Sequence, residues 1–234
     1  MTDFRRPLVL RLLGPSLGEV VDFAIERFGR TDRIIAWEMS PEVHAKVPDA
    51  EVATAFAERF GDALYSLDGR PLEAVAGALL AAAGRTVAVA ESCTGGLLAG
   101  AMTRVPGCSA WFAGGVVAYS NALKQRLLGV PADLLSAHGA VSREVAEAMA
   151  TGVRDVTDTD IGIAISGVAG PGGGTDAKPV GTVVLALAGP RGVRSWVHRF
   201  EGDREQVRVQ AIGFALDLVR REAAGLALPP ARGD

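Results

Sequence analysis

Three stretches of the sequence carry side chains that could do chemistry. In the first, Ala90-Glu91-Ser92-Cys93-Thr94-Gly95-Gly96, an apolar run ends in small polar residues. A hydroxyl at the carboxyl end of a strand, a glycine pair permitting close approach and free N–H groups at a helix start could supply a nucleophile and stabilise an oxyanion. Ser92 or Thr94 could equally be a helix N-cap, a common place for either residue. Glu91 could orient a ligand hydroxyl or hold a buried backbone donor. The second stretch, Val117-Ala118-Tyr119-Ser120-Asn121-Ala122-Leu123-Lys124, sets a phenol at a strand edge and an amine in the first turn of a helix. A nucleophilic serine needs a base, and His44, His138 and His198 show no pairing with an aspartate that would make a Ser-His-Asp triad. A desolvated lysine can take that part. Lysine occurs at three positions, Lys46, Lys124 and Lys178, while arginine supplies every other basic side chain. Only lysine can lose its proton in a protein. The plainer alternatives are a strand-edge aromatic at Tyr119 and an exposed helix residue at Lys124.

The third stretch runs from Ile165-Ser166-Gly167 through Val168-Ala169-Gly170-Pro171-Gly172-Gly173-Gly174 to Lys178-Pro179-Val180-Gly181-Thr182. Glycine at this density after a strand lets backbone N–H groups wrap an anion or a planar ring, and it also suits a plain surface loop. It is neither a Walker loop nor a GxGxxG turn. Further on, Asp203 reads as a helix cap, and Arg204 could reach a phosphate or form a salt bridge.

The elements that must position these groups alternate. Residues 1–70 read strand, helix, strand, strand, helix, short strand, with Ser16 as a cap, which predicts a small KH-like or ferredoxin-like α+β domain. An RNA-binding KH unit needs a GxxG clamp, and none is present; residues 1–72 also carry more acid than base. From Pro71 the composition turns to Ala, Gly and Val and helices alternate with strands up to residue 222, which predicts a three-layer α/β/α sandwich around a mixed sheet. Residues 223–234 have no periodicity and read as a loose tail.

The 234 residues, 49% hydrophobic and 22% charged, suit one large domain or a small and a medium one. A net charge of -3 offers no basic field for a run of phosphates, so nucleic acid is not an expected partner. The two cysteines, Cys93 and Cys108, form no CxxC pair, which argues against a disulfide framework or structural zinc and fits a reducing cytoplasm. No run reads as a signal peptide or a membrane span, so a soluble protein without a membrane partner is expected. Trp111-Phe112 in a glycine-rich context, together with a truncated N-terminal layer, suggests apolar surface that a homo-oligomer would cover.

The segments VAESCTGGLLAG, PGCSAWFAGGVVAYSNALKQRLLGV, HGAVSREVAEAMA, SGVAGPGGGTDAKPVGTV and FEGDREQVR, spread over residues 71–221, resemble the CinA C-terminal domain family, whose members include nicotinamide mononucleotide (NMN) deamidases. Residues 1–70, with their LRLLGPS stretch, are similar to the KH-like linker domain that precedes it in full-length CinA proteins. The sequence holds no counterpart of the family's larger molybdopterin-binding-like domain, so the pyrophosphatase activity linked to that domain is not expected of it. The resemblance implies hydrolysis of the NMN carboxamide to nicotinate mononucleotide and ammonia, with no metal or cofactor. It makes Ser92 the nucleophile and Tyr119 and Lys124 the proton-handling pair. A neutral Lys124 would accept the Ser92 proton directly or through Tyr119, and backbone N–H groups from Thr94 to Gly96 would hold the oxyanion. The substrate is expected to meet Glu91, Thr94, Gly95 and Gly96 around the serine, and Gly167, Gly170, Gly172, Thr182 and Arg204 around its ribose and phosphate. The competing readings are a serine-lysine amidase acting on another substrate and a noncatalytic nucleotide-binding or regulatory protein.

Overall fold

The computed structural model describes residues 7–29 and 33–230, so the last four residues of the expected loose tail lie outside the described residues. The chain divides into two compact units that part between Val75 and Ala76. In the first, β1 (Leu8–Leu13) breaks at Gly14-Pro15 and α1 (Leu17–Phe28) starts from Ser16, whose hydroxyl accepts the Glu19 N–H at 3.2 Å while Glu19 Oε2 accepts the Ser16 N–H at 2.8 Å. That reciprocal box satisfies two donors the helix start would leave bare. β2 (Ile35–Met39), β3 (Glu42–Val47), α2 (Ala50–Phe60) and β4 (Leu64–Ser66) follow. The antiparallel order β2-β3-β1-β4 is that of a ferredoxin-like βαββαβ layer. Strand alternation packs Leu10, Leu12, Val43, Ala45 and Val47 against Val20, Ala24, Ala53 and Phe56 of the two helices.

The helix α3 (Leu72–Ala83) precedes β5 (Val87–Glu91), α4 (Leu97–Thr103), β6 (Phe112–Val117), α5 (Asn121–Leu128), α6 (Ala132–His138) and α7 (Arg143–Thr157). The chain then adds β7 (Ile161–Gly167), β8 (Thr182–Gly189), β9 (Gly192–Arg199) and the long α8 (Arg204–Ala224). The five strands lie in the order β6-β5-β7-β8-β9, with β5 parallel to β6 and β7 and the remaining pairs antiparallel. Both faces of the central strands are buried, which makes the mixed three-layer α/β/α sandwich. On one face, Ala88, Ala90, Ala164, Ala186 and Ala188 meet Val145, Ala146, Met149, Ala150 and Val153 of α7. These small side chains let α7 sit close: a Cβ on Gly162 would strike the Ala150 carbonyl, and one on Gly152 would strike the carbonyl of Leu128 at the end of α5.

The connections fix where a site can form. From β5 the chain passes through α4 to β6 on one side, then crosses through α5, α6 and α7 to β7 on the other. The end of β5 is therefore a topological switch point, where diverging loops leave a crevice at the carboxyl ends of the strands.

Two expectations need correction. Trp111 is 4% exposed and lies against Gly77, where a Cβ would collide with the indole, so it offers no bare apolar surface for a second subunit to cover. Residues 226–230 are not loose. Arg191 Nη1 donates to Leu226 O at 2.7 Å, Arg221 Nη1 to Ala227 O at 3.0 Å and Trp196 Nε1 to Pro229 O at 2.9 Å. Carbonyl acceptors need no side-chain periodicity, so pattern reading misses such an anchor. Helix α6 has seven residues, about two turns, too few to show a 3.6-residue stripe in the sequence. Among the described residues no helix is long and apolar enough to cross a membrane.

Candidate active site

Ser92 follows the last residue of β5. Its N–H donates to Ile165 O at 2.9 Å, continuing the β5–β7 pairing by one bond, and its carbonyl accepts the Gly95 N–H at 3.1 Å. The chain then reverses through Gly95 (φ 63°) and Gly96 (φ 99°), left-handed values that side-chain-bearing residues avoid, before entering α4. Neither Ser92 nor Thr94 caps α4 with its side chain. Glu91 does so instead: fully buried, it accepts the N–H groups of Gly96 and Leu98 on Oε2 at 3.0 and 3.1 Å and of Ala99 on Oε1 at 2.8 Å. Ser92 Oγ is thereby released from the capping part that its sequence context allowed.

That hydroxyl meets Lys124. Ser120 caps α5 by accepting the Leu123 N–H at 3.2 Å, which places Lys124 one turn into the helix, directed inward and 1% exposed. Its Nζ lies 3.0 Å from Ser92 Oγ, 2.9 Å from Ala118 O and 3.4 Å from Tyr119 O. Burial pushes the amine below the usual lysine range. Among the described residues no carboxylate lies within ion-pair distance of it. The two carbonyls and the hydroxyl suit an ammonium with three N–H groups as well as a neutral amine with two and a lone pair that accepts from Ser92. Lys124 is therefore not the exposed helix residue of the plainer alternative but a buried amine in hydrogen-bond contact with Ser92.

The pair lies at the floor of a cleft of about 280 Å³ lined by Ser92, Cys93, Tyr119, Lys124, Ala140, Val141, Ser166, Gly167, Val168, Ala169, Gly170, Gly172, Gly173 and Arg204. No carboxylate is among these residues. At the mouth, Arg204 leaves the first turn of α8, donating through Nη1 to Gly170 O at 2.8 Å and through Nη2 to the Tyr119 hydroxyl at 3.3 Å. Tyr119 is 60% exposed, with its phenol on Arg204 and its carbonyl near the lysine. The glycine-rich loop is an ordered wall. Val168 N–H donates to Thr182 O and Gly181 N–H to Val168 O, each at 2.8 Å, and Lys178 Nζ reaches His138 O at 2.7 Å. Gly170 needs to be glycine twice over, with φ 87° and no room for a Cβ beside Val180.

Of the residues singled out by sequence, Ser92, Tyr119, Lys124, Gly167, Gly170, Gly172 and Arg204 meet in one cleft. Glu91, Thr94, Gly95, Gly96 and Thr182 do not line it. The first four build the turn beneath the serine, and buried Thr182 anchors the glycine-rich loop through its backbone. Sequence reading missed Ser166, whose Oγ donates to Ala140 O at 2.6 Å and fixes the opposite wall. Ser166 reaches the site through the parallel register that sets Glu91 beside Ile165, which no local sequence signal gives. Sequence reading also missed Cys93 as a lining residue; burial pushes that thiol up to about 11, which keeps it protonated.

Residues 69–223 match the CinA C-terminal domain family. A CinA-like protein of Synechococcus is 58% identical over 165 residues, covering 70% of this chain and 39% of that protein. A CinA-like protein of Anaeromyxobacter is 51% identical over 189 residues, 77% of this chain and 46% of that protein. The chain therefore spans less than half the length of these curated relatives. Among solved structures, a competence-damaged protein (CinA) superfamily protein from Klebsiella pneumoniae is 39% identical with a TM-score of 0.64, over 66% of this chain and 96% of that one.

Proposed function

This chain belongs to the CinA C-terminal domain family, and from that premise we propose that it hydrolyses the carboxamide of NMN to nicotinate mononucleotide and ammonia. The observation that carries the reading is the buried Lys124 Nζ at 3.0 Å from Ser92 Oγ, with carbonyls and no carboxylate as its other neighbours. Lys124, neutral at rest, takes the Ser92 proton directly, because the Tyr119 hydroxyl is engaged by Arg204. Ser92 Oγ bonds to the carboxamide carbon and the carbonyl electron pair moves to oxygen. The protonated lysine then supplies the proton with which ammonia leaves, and water, activated by the same amine, releases the acid from the acyl-enzyme. In this reading Arg204, which lines a cleft free of acidic side chains, meets the 5′-phosphate.

Two measurements test this reading. Arg204→Ala should raise KM for NMN roughly tenfold, the loss of one charge-assisted contact, while leaving KM for nicotinamide riboside nearly unchanged. An equal effect on both substrates would remove Arg204 from the phosphate site. A substrate panel separates NMN hydrolysis from amidase action on another amide: preference for NMN over the riboside and free nicotinamide is expected, and indifference to the phosphate would count against NMN.

A further inference from the structure

A tetrahedral intermediate at Ser92 needs donors for its oxyanion, and an account of the backbone amides around the serine leaves few. Ser92 N–H is bound to Ile165 O, Gly95 N–H to Ser92 O, Leu97 N–H to Thr94 O and Gly100 N–H to Gly96 O. Gly96, Leu98 and Ala99 donate to the Glu91 carboxylate. Every amide that a helix start normally offers to an anion is therefore taken. Within the turn, only Cys93 and Thr94 have amides that donate to no protein oxygen among the described residues, and of the two only Cys93 lines the cleft. The turn is also held from outside: Arg208 Nη2 donates to the Thr94 carbonyl at 2.9 Å.

We propose that Glu91 and Arg208 are positioning residues that clamp the turn after Ser92, so that the amide of Cys93, which lines the cleft, receives the oxyanion. The proposal deepens the hydrolase reading and rests on Ser92 being its nucleophile. When Ser92 Oγ bonds to the carbonyl carbon, its proton passes to Lys124 and the carbonyl π pair goes to oxygen; the clamped Cys93 amide donates to that oxygen. Glu91 acts by occupying the α4 donors from below. Arg208 acts by fixing the Thr94 carbonyl. Neither touches the substrate, so both should govern kcat and leave KM alone.

The test uses the full chain with two variants and two readouts. Glu91→Gln replaces one carboxylate oxygen by an amide NH2 set against N–H groups, and Arg208→Met keeps the aliphatic stem but frees the Thr94 carbonyl. Each should lower kcat for NMN by roughly 10- to 100-fold, the scale of a weakened oxyanion donor, with KM within about twofold and the acid limb of the pH profile unmoved. Arg208→Lys should recover part of the rate. The rate of Ser92 modification by a fluorophosphonate probe, which needs the same oxyanion site, should fall in parallel. A raised KM with kcat intact in Glu91→Gln would overturn the proposal by placing the carboxylate on the substrate. Unchanged probe rates in both variants would overturn it as well. If Glu91→Gln does not fold, Arg208→Met alone decides. Should the wild type ignore NMN yet react with the probe at Ser92, the substrate assignment fails while the probe rates still decide the clamp. A wild type unreactive to both would sink the clamp together with the nucleophile.

Discussion

A primary amine in water keeps its proton to about pH 10, so a lysine can serve as a resting base near neutrality only where the protein withholds solvent and counter-charge. Lys124 meets both conditions: it is buried, and its neighbours are carbonyls and the Ser92 hydroxyl. Three predictions belong to this scale. First, kcat/KM for NMN should rise with pH along an acid limb set by Lys124, with its midpoint below the ordinary 10.5, and a profile flat through that limb would argue for another base. Lys124→Arg, whose guanidinium cannot give up its proton, should cost about 10²- to 10⁴-fold in kcat. Second, the lowered folded-state value carries a stability consequence of definite sign. Between the folded value and the unfolded 10.5, the unfolded chain binds a proton that the folded chain does not, so stability rises with pH across that window. Lys124→Met lacks this titration, and its unfolding free energy relative to the wild type should fall as pH is raised toward 10.5, read by urea melts at several pH values. Third, Tyr119→Phe loses only the hydroxyl held by Arg204, so it should raise KM about two- to fivefold and leave the acid limb in place. Loss of the limb would show that the phenol carries the proton after all.

At the scale of elements, the site depends on how closely helices approach the sheet and each other. Gly152 of α7 sits against the carbonyl of Leu128, one turn beyond Lys124 on α5. Gly152→Ala should destabilise the protein by about 1–3 kcal/mol, the usual range for overpacking, and should slow turnover by moving α5; full stability and activity would mean that this contact yields freely. Much of the framework was legible because it is written locally. Ser16 and Asp203 cap helices as their sequence contexts suggest, and the first unit's strand and helix order is the one its alternating residues predict. The Ser92, Lys124 and Tyr119 stretches could likewise be read as strand ends running into helices. What could not be read depends on long-range closure. The capping of α4 by Glu91 looks the same in sequence as a cap by Ser92 or Thr94, since all three lie within a few residues of the helix start. Ser166 and the 140–141 wall join the cleft only through strand register and the crossover before β7. Thr182 looked like a ligand contact because it follows a glycine-rich loop, but closing that loop draws its backbone into the anchor and leaves its side chain away from the cleft.

Across the whole molecule, every residue lining the cleft falls between Ser92 and Arg204, inside the segment that matches the CinA C-terminal domain. The solved Klebsiella relative, 96% of whose length is covered by 66% of this chain, is a folded protein of about that size. A fragment spanning residues 69–230 should therefore fold and turn over NMN with kcat and KM within about threefold of the full chain, a change too small to count as loss of a site contact. A hundredfold deficit in a folded fragment would assign residues 1–68 a direct part in catalysis. The central claim is that Ser92, with Lys124 as its base, cleaves the NMN carboxamide. Its most direct test is to incubate purified wild type and Ser92→Ala with NMN and measure ammonia and nicotinate mononucleotide together. Equimolar formation of both by the wild type, and neither by Ser92→Ala, is the predicted result. A folded wild type that binds NMN and releases no ammonia, or a Ser92→Ala variant that turns over at the wild-type rate, would contradict it.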